Sequence, residues 1–308
     1  MTEQNRVIRQ NAYGGPEHIS LESEAVPSPG AGEALVRVHA AGLNPVDWKI
    51  AAYPAAAEAF GVPVPGGYGH DFAGVVAAVG DGVSEVAIGD RVVGGAGGAA
   101  VADYTVLPAA ALTVVPDAVP LAVAATLPIA GRTAVAAIGR LGLGPDDTVL
   151  IGGAAGGVGI LATQLAVQTG AAVVATASPA NHDFLRGLGA LPVTYGEGLA
   201  DRVRGVLTGP LTAAADLQGT EAAQAALDLG VAPGRITLIA GGPLPGTLPT
   251  GGGDAPEGAL GRLLDEVAAG RIRVDVEADY PIERTAEAVS RLREGHVRGK
   301  LVILTGAE

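Results

Sequence analysis

There is no cysteine among the 308 residues. Disulfides, thiolate catalysis and cysteine-ligated zinc are therefore excluded. Lysine is almost missing too, occurring only at Lys49 and Lys300. A phosphate loop of the ATPase kind needs a Gly-Lys-Ser/Thr ending, and none is present. The formal net charge is −13, so no basic excess exists to displace counterions from a nucleic acid. Aromatic residues are only 3% of the chain, which argues against a pocket built mainly by stacking. No run is long and apolar enough for a membrane span; even residues 148–170 are broken by Gly152, Gly153, Gly156, Gly157 and Gly159. The opening MTEQNRVIRQ lacks the apolar core of a signal peptide. A cytoplasmic protein with neither nucleic-acid nor membrane partners is expected.

What is present is aliphatic and glycine-rich. Hydrophobic residues make up 48% of the chain against 17% charged, enough for a substantial core. The 48 glycines follow no three-residue period, so they mark tight turns rather than collagen. Up to about residue 110 the chain reads as short strands and turns. Residues 34–41 and 72–80 have strand character, Asp81-Gly82 marks a turn, and residues 89–93 begin another strand. Such a series suggests a compact barrel-like β domain.

The pattern changes after Pro116. Residues 121–130 and 133–140 read as helical, with Pro128 interrupting the first. Residues 148–151 are a short buried strand that runs into glycines and then a helix over 160–169, followed by an apolar run at 172–177. This is a strand, glycine turn, helix, strand unit. The alternation continues through 213–217, 221–229 and 235–240, as expected of buried parallel strands between helices. Residues 241–258 read as a flexible Gly/Pro-rich loop, able to cover a substrate or to lie on the surface. Helices are expected at 260–269 and 286–294, and a last strand at 300–304. The organisation is α/β, with divisions near 118 and 255. The segment 256–308 is expected to complete both domains.

The turn carries the first functional signal. In Ala154-Ala155-Gly156-Gly157-Val158-Gly159, Gly156 and Gly157 permit a tight backbone path, and Gly159 lets the helix approach the strand. A helix beginning near Val158 aims unsatisfied N–H groups at an anion, and a pyrophosphate suits that place. The following strand ends at Ser178, where an acid would hold a ribose 2′-hydroxyl and repel a 2′-phosphate. Ser178 is neutral and Asn181, His182 and Arg186 follow, so NADP is favoured over NAD. Asp183 is a competing charge that faces away or binds Arg186.

Several ordered motifs together resemble the medium-chain dehydrogenase/reductases, specifically their zinc-independent quinone oxidoreductase-like branch. They are residues 42–49 (GLNPVDWK), 69–76 (GHDFAGVV), 89–92 (GDRV), 124–128 (AATLP), 130–134 (AGRTA), the AAGGVG turn, 181–185 (NHDFL) and 295–300 (GHVRGK). The resemblance spans nearly the whole chain. It implies an N-terminal GroES-like β-barrel catalytic domain (1–118) and a doubly wound Rossmann domain (119–255). The last segment would return to the catalytic domain, and a homodimer is common in the family. It also implies roles: Asn44, Pro45 and Val46 beside the nicotinamide and substrate, Thr133 near the nicotinamide amide, and Ala155, Gly156, Gly157 and Val158 at the pyrophosphate. Ser178, Asn181, His182 and Tyr195 fall in the adenine-phosphate region. The basic residue usual after Ser178 is not reproduced by lysine.

NADPH would carry the hydride chemistry, while the protein positions it against a small hydrophobic electrophile such as a quinone or conjugated enone. Negative charge then develops on oxygen and is stabilised by hydrogen-bond donors. Asn44 is the first candidate for positioning, Tyr53 for orienting substrate or donating a proton, and Lys49 for positive potential. Water is an alternative proton source. His70 reads as a hydrogen-bonded residue at a turn, and no metal is expected. Trp48, Tyr53, Phe60 and Tyr68 either line a cleft or fill the core. An alcohol or carbonyl reductase and a nonenzymatic NADPH-binding protein are the competing readings.

Overall fold

The computed structural model describes residues 4–242 and 244–306. The chain forms two compact units. One holds the described residues through Ile129, Leu260–Arg271, and those from Val276 onward; the other holds Ala130–Ala259 and Ile272–Asp275. The division falls after residue 118 because the short helix Leu121–Ala124 packs on the strands Glu33–Gly42 and Asp71–Val79. Near the other end, Gln164 and Arg273 exchange side-chain and backbone hydrogen bonds at 2.8 Å, which fastens Ile272–Asp275 to the second unit.

In the first unit the central strand is Glu33–Gly42. It pairs along one edge with Asp71–Val79, and along the other with Tyr104–Pro108 and then Lys300–Leu304. Register breaks at Leu35/Val36 and Val38/Ala40 bend it, as a bulge does, so that one strand serves different partners along its length. The sheet runs Val276–Pro281, Lys300–Leu304, Glu33–Gly42, Asp71–Val79, Arg91–Gly95, Thr113–Val114. A smaller sheet joins Ile19–Ala25, Gln4–Gln10 and Gly66–Gly67. Val36, Val38, Phe72, Val92, Leu301 and Ile303, all on strands of the larger sheet, share one hydrophobic core. The last strand thus completes the N-terminal sheet, inserted between two others.

Two helices, Pro45–Ala52 and Pro54–Phe60, stand where only strands and turns were expected. Each begins with proline at the position where a missing N–H costs nothing. Asp47 accepts the Asn44 N–H at 2.7 Å, fixing the first of these starts. The helical region after Pro116 is also divided differently. It breaks at Ala125-Thr126, and Pro128 lies at the start of the helix Leu127–Gly139, where proline is tolerated, rather than within a helix ending at 130.

The second unit is a six-stranded parallel sheet. Its order is Leu191–Val193, Ala172–Thr176, Thr148–Gly152, Ala213–Asp216, Ile236–Leu238, Leu248–Pro249. The strand order reverses direction beside Thr148–Gly152, the place where open parallel sheets take their ligands. Residues 241–258 are not a structureless loop throughout. Leu248–Pro249 pairs with Ile236–Leu238, and Thr250 N–H donates to the Leu238 carbonyl at 2.8 Å. Among the described residues no helix is long and apolar enough to cross a membrane.

Candidate active site

The second unit gathers most of the expected cofactor residues at the carboxyl ends of three adjacent strands, Thr133 lying instead on a helix and Pro45 and Val46 in the first unit. Ala155 to Val158 follow Thr148–Gly152, Ser178 to His182 follow Ala172–Thr176, and Tyr195 follows Leu191–Val193. The helix Gly157–Gln168 starts one residue before Val158, with Gly156 in extended conformation ahead of it. Its first amides have no partner within the helix and face the turn. Thr176 ties the turn to the neighbouring strand: its Oγ1 accepts from Gly153 N–H and its carbonyl from Ala154 N–H, both at 3.1 Å. A side chain at Gly159 would place Cβ 2.1 Å from the Gly153 carbonyl oxygen, so only glycine lets helix and turn come this close.

Around Ser178 the polar groups are committed locally. Asn181 donates to Ser178 Oγ at 3.3 Å, and the His182 ring lies 3.3 Å from the Ala177 carbonyl. Arg186 pairs with Asp183 at 2.5 Å, which settles where that acid is directed. Tyr195 is exposed and Thr133 is buried on the helix Leu127–Gly139. No acidic side chain occupies the end of the strand Ala172–Thr176.

In the first unit Asn44, Pro45, Val46, Lys49 and Tyr53 all lie on one helical segment or at its ends. Their orientations differ. Pro45 is exposed and Val46 half-buried. Lys49 Nζ lies 5.8 Å from the centroid of the Trp48 ring, and the Tyr53 ring lies 6.4 Å from it while remaining exposed. Of the four aromatics weighed as cleft or core, Tyr68 is buried, whereas Tyr53 and Phe60 are exposed.

Asn44 turns inward. Its amide donates to Asp71 Oδ2 at 2.9 Å and to the Gly42 carbonyl at 3.3 Å, and its Oδ1 accepts from Lys300 Nζ at 2.5 Å. Both N–H groups are spent inside the protein, so the carboxamide does not offer the free donor to substrate that its sequence position suggested. It anchors the backbone of Pro45 and Val46 instead. Asp47 extends the network: Oδ2 accepts from Asn44 N–H, and Oδ1 lies 2.7 Å from His70 Nδ1. Asp71 also accepts from Ile129 N–H at 3.1 Å, while its Oδ1 has no partner.

Burial sets the electrostatics of this cluster. It pushes Asp71 up to about 6 against the pull of Lys300 and Asn44, with Asp47 adding to the rise. It pushes Lys300 down, opposed by Asp71 and Asp47. Burial alone would lower His70, but the bond to Asp47 and the charges of Asp47 and Asp71 outweigh it and hold the ring above its ordinary value. A consequence for stability follows from Asp71. Its folded pKa exceeds the ordinary 3.8, so the folded state holds a proton that the unfolded chain releases. The resulting stabilisation is present below 3.8 and disappears as pH rises through about 6. Urea unfolding of wild type and Asp71→Asn should show the wild type losing ground to the variant across that window. A pH-independent difference between them would refute this.

The alcohol dehydrogenase GroES-like domain family matches residues 30–117, and the zinc-binding dehydrogenase family matches residues 188–303. The chain is 31% identical to a quinone oxidoreductase of Pseudomonas aeruginosa, over 96% of this chain and 98% of that protein. It is 31% identical to the chloroplastic NADPH-dependent alkenal/one oxidoreductase of Arabidopsis thaliana, over 94% of this chain and 77% of that one. A mycobacterial protein solved in complex with NADPH superposes with a TM-score of 0.84 at 28% identity, covering 97% of this chain and 99% of that one. This chain belongs to the medium-chain dehydrogenase/reductase superfamily. Within it, the chain falls in the quinone-oxidoreductase-like branch.

Two side chains of this buried network, Asp47 and Lys300, lie within the quoted motifs but were given no role of their own in the reading of the sequence. The signal for Lys300 was available: one of two lysines opens an otherwise aliphatic buried strand.

Proposed function

We propose that this chain is an NADPH-dependent oxidoreductase that reduces a conjugated enone or a quinone. The observation that carries the reading is the glycine-lined helix start beside the strand Ala172–Thr176, which is followed by neutral Ser178. The first amides of Gly157–Gln168 suit the pyrophosphate. Ser178 and Asn181 would receive the 2′-phosphate, where an acid would repel it. Ala155, Gly156, Gly157 and Val158 would lie along the pyrophosphate, with His182 and Tyr195 beside the adenine end and Thr133 at the nicotinamide amide. When bound, NADPH supplies a hydride to an electrophilic carbon. Pro45 and Val46 would flank the reacting groups, held by the anchored Asn44. Lys49 and Tyr53 would stand at the rim.

The donor set of the first unit does not suit the zinc named in one family description. Asn44 is bonded to both Asp47 and Asp71, Asp47 to His70, and the Lys300 ammonium on Asn44 already balances the buried carboxylates, of which only Asp71 Oδ1 is left without a partner. Among the described residues no group of three or more His, Cys, Asp or Glu is arranged for a metal ion. We therefore derive no step through zinc.

The decisive assay is anaerobic oxidation of NADPH and, separately, NADH with conjugated enones, quinones and simple ketones, with products identified by mass spectrometry. NADPH should be preferred by at least about tenfold, a difference of roughly 1.4 kcal/mol. Reduced enone or hydroquinone should accumulate. Equal use of NADH would remove the cofactor assignment, and turnover of simple ketones alone would make the protein a carbonyl reductase.

A further inference from the structure

We propose that Arg202 is a positioning residue for the adenosine end of the cofactor, acting by fixing the loop that presents Tyr195. The proposal rests on the reading above, in which Tyr195 stands beside that end, and every residue it uses belongs to the second unit.

The loop is residues 194–198, Thr-Tyr-Gly-Glu-Gly, between the strand Leu191–Val193 and the helix Leu199–Val206. Gly196 and Gly198 have φ of +97° and +79°, so the backbone is permissive and orders itself weakly. Its support is a three-residue strand at the edge of the sheet. Side chains from two helices make good the deficit. Arg202 donates from Nε to the Thr194 carbonyl at 2.7 Å, from Nη2 to the Gly196 carbonyl at 2.6 Å and from Nη1 to the Glu197 carbonyl at 2.8 Å. From the helix Glu221–Asp228, the Glu221 carboxylate accepts the Gly196 N–H at 2.5 Å.

Arg202 is selected by where its fork is spent. Arg186 and Arg204 each pair with the aspartate three residues earlier, Asp183 and Asp201. Among the described residues Arg202 pairs with no carboxylate, and its planar donors go to three carbonyls of one loop. The loop is well placed for the role. Ala177 N–H donates to the Val193 carbonyl at 3.1 Å, so the chain leaves two neighbouring strands side by side, into Ser178 from one and Thr194 from the other. The braced loop therefore borders the place proposed for the 2′-phosphate. It carries Tyr195 there, 44% exposed. Loops in such positions are ordinarily mobile, and one already held in place has less freedom to lose when a ligand arrives.

The probe for the test is adenosine 2′,5′-bisphosphate, which carries the adenine end without the nicotinamide. Calorimetric titration of wild type, Arg202→Met, Tyr195→Ala and the double variant forms a cycle. Each single substitution should weaken binding about tenfold, and the double variant should bind within about threefold of Tyr195→Ala, because the arginine acts through the tyrosine. In the free protein, amide hydrogen exchange over residues 194–198 should quicken in Arg202→Met while the strand Thr148–Gly152 keeps its protection. An arginine that only stabilised the fold would instead give losses that multiply with those of Tyr195→Ala. Glu221→Ala loosens the same loop from the other helix and should weaken probe binding too, which keeps the test open if Arg202→Met does not fold. Unchanged affinity in either single variant of the cycle, or losses that multiply in full, would overturn the role of Arg202 while leaving the NADPH reading intact. A wild type that binds neither the probe nor NADPH would overturn both.

Discussion

Lys300→Met is expected to destabilise the protein by roughly 3–5 kcal/mol, the penalty for stranding one half of a buried ion pair. The ammonium lies on Asn44 Oδ1, and Asp71 and Asp47 are the carboxylates it offsets. Methionine fills much the same volume, so the loss is electrostatic rather than a cavity. The double variant Asp71→Asn/Lys300→Met removes both charges and should recover a large part of the deficit, because contacting residues are not additive. Urea midpoints at neutral pH measure both. If Lys300→Met costs less than about 1 kcal/mol, like an exposed ion pair, or if the two substitutions simply add, the network does not hold the charge as described.

Gly159→Ala should be nearly as severe, and for a different reason. The new methyl would lie 2.1 Å from the Gly153 carbonyl oxygen and 2.6 Å from Ala154 Cα, and both are backbone. Neither can rotate away, so helix and turn must separate. Overpacking of this kind costs about 1–3 kcal/mol or more. Separation also misdirects the amides assigned to pyrophosphate, and NADPH affinity should drop by about tenfold for each 1.4 kcal/mol misplaced. Gly156→Ala is the control: its Cβ would meet only the Gly153 carbonyl oxygen, at an ordinary 3.4 Å. That variant should melt with wild type yet bind NADPH more weakly, since the methyl projects where the cofactor is proposed to approach. Calorimetric melting and NADPH titration separate the two effects. Equal melting of Gly159→Ala and wild type would contradict the close approach.

The parallel unit was readable because its signals are local. The glycine turn, the aliphatic runs on either side and the intervening helix lie within about thirty residues, the span of one strand-helix-strand motif. The first unit was harder. Asn44-Pro45-Val46-Asp47 contains a helix start, but the surrounding turns masked it, and two helices were missed. The three-residue strand Leu191–Val193 carries too few residues for any periodicity to show.

The site residues divide the same way. Position along the chain was enough to nominate Asn44, and nothing local revealed that its carboxamide is consumed by Asp71, Gly42 and Lys300. Lys300 is 256 residues away in sequence, so only the folded sheet brings the pair together. His70 was read as hydrogen-bonded, and it is; the identity of its partner, Asp47, is what gives it chemical interest.

The place of Lys300–Leu304 also bears on synthesis. All six strands of the parallel sheet lie between Thr148 and Pro249, so a ribosome delivers that sheet before the strand containing Lys300 exists. The N-terminal sheet begins emerging first and is closed last. Until then part of the Glu33–Gly42 edge is open, and Asn44 and Asp71 await their cation. An open strand edge on a nascent chain invites pairing with other chains. Pausing late in translation, or want of a chaperone then, would therefore harm the first-made unit more than the second.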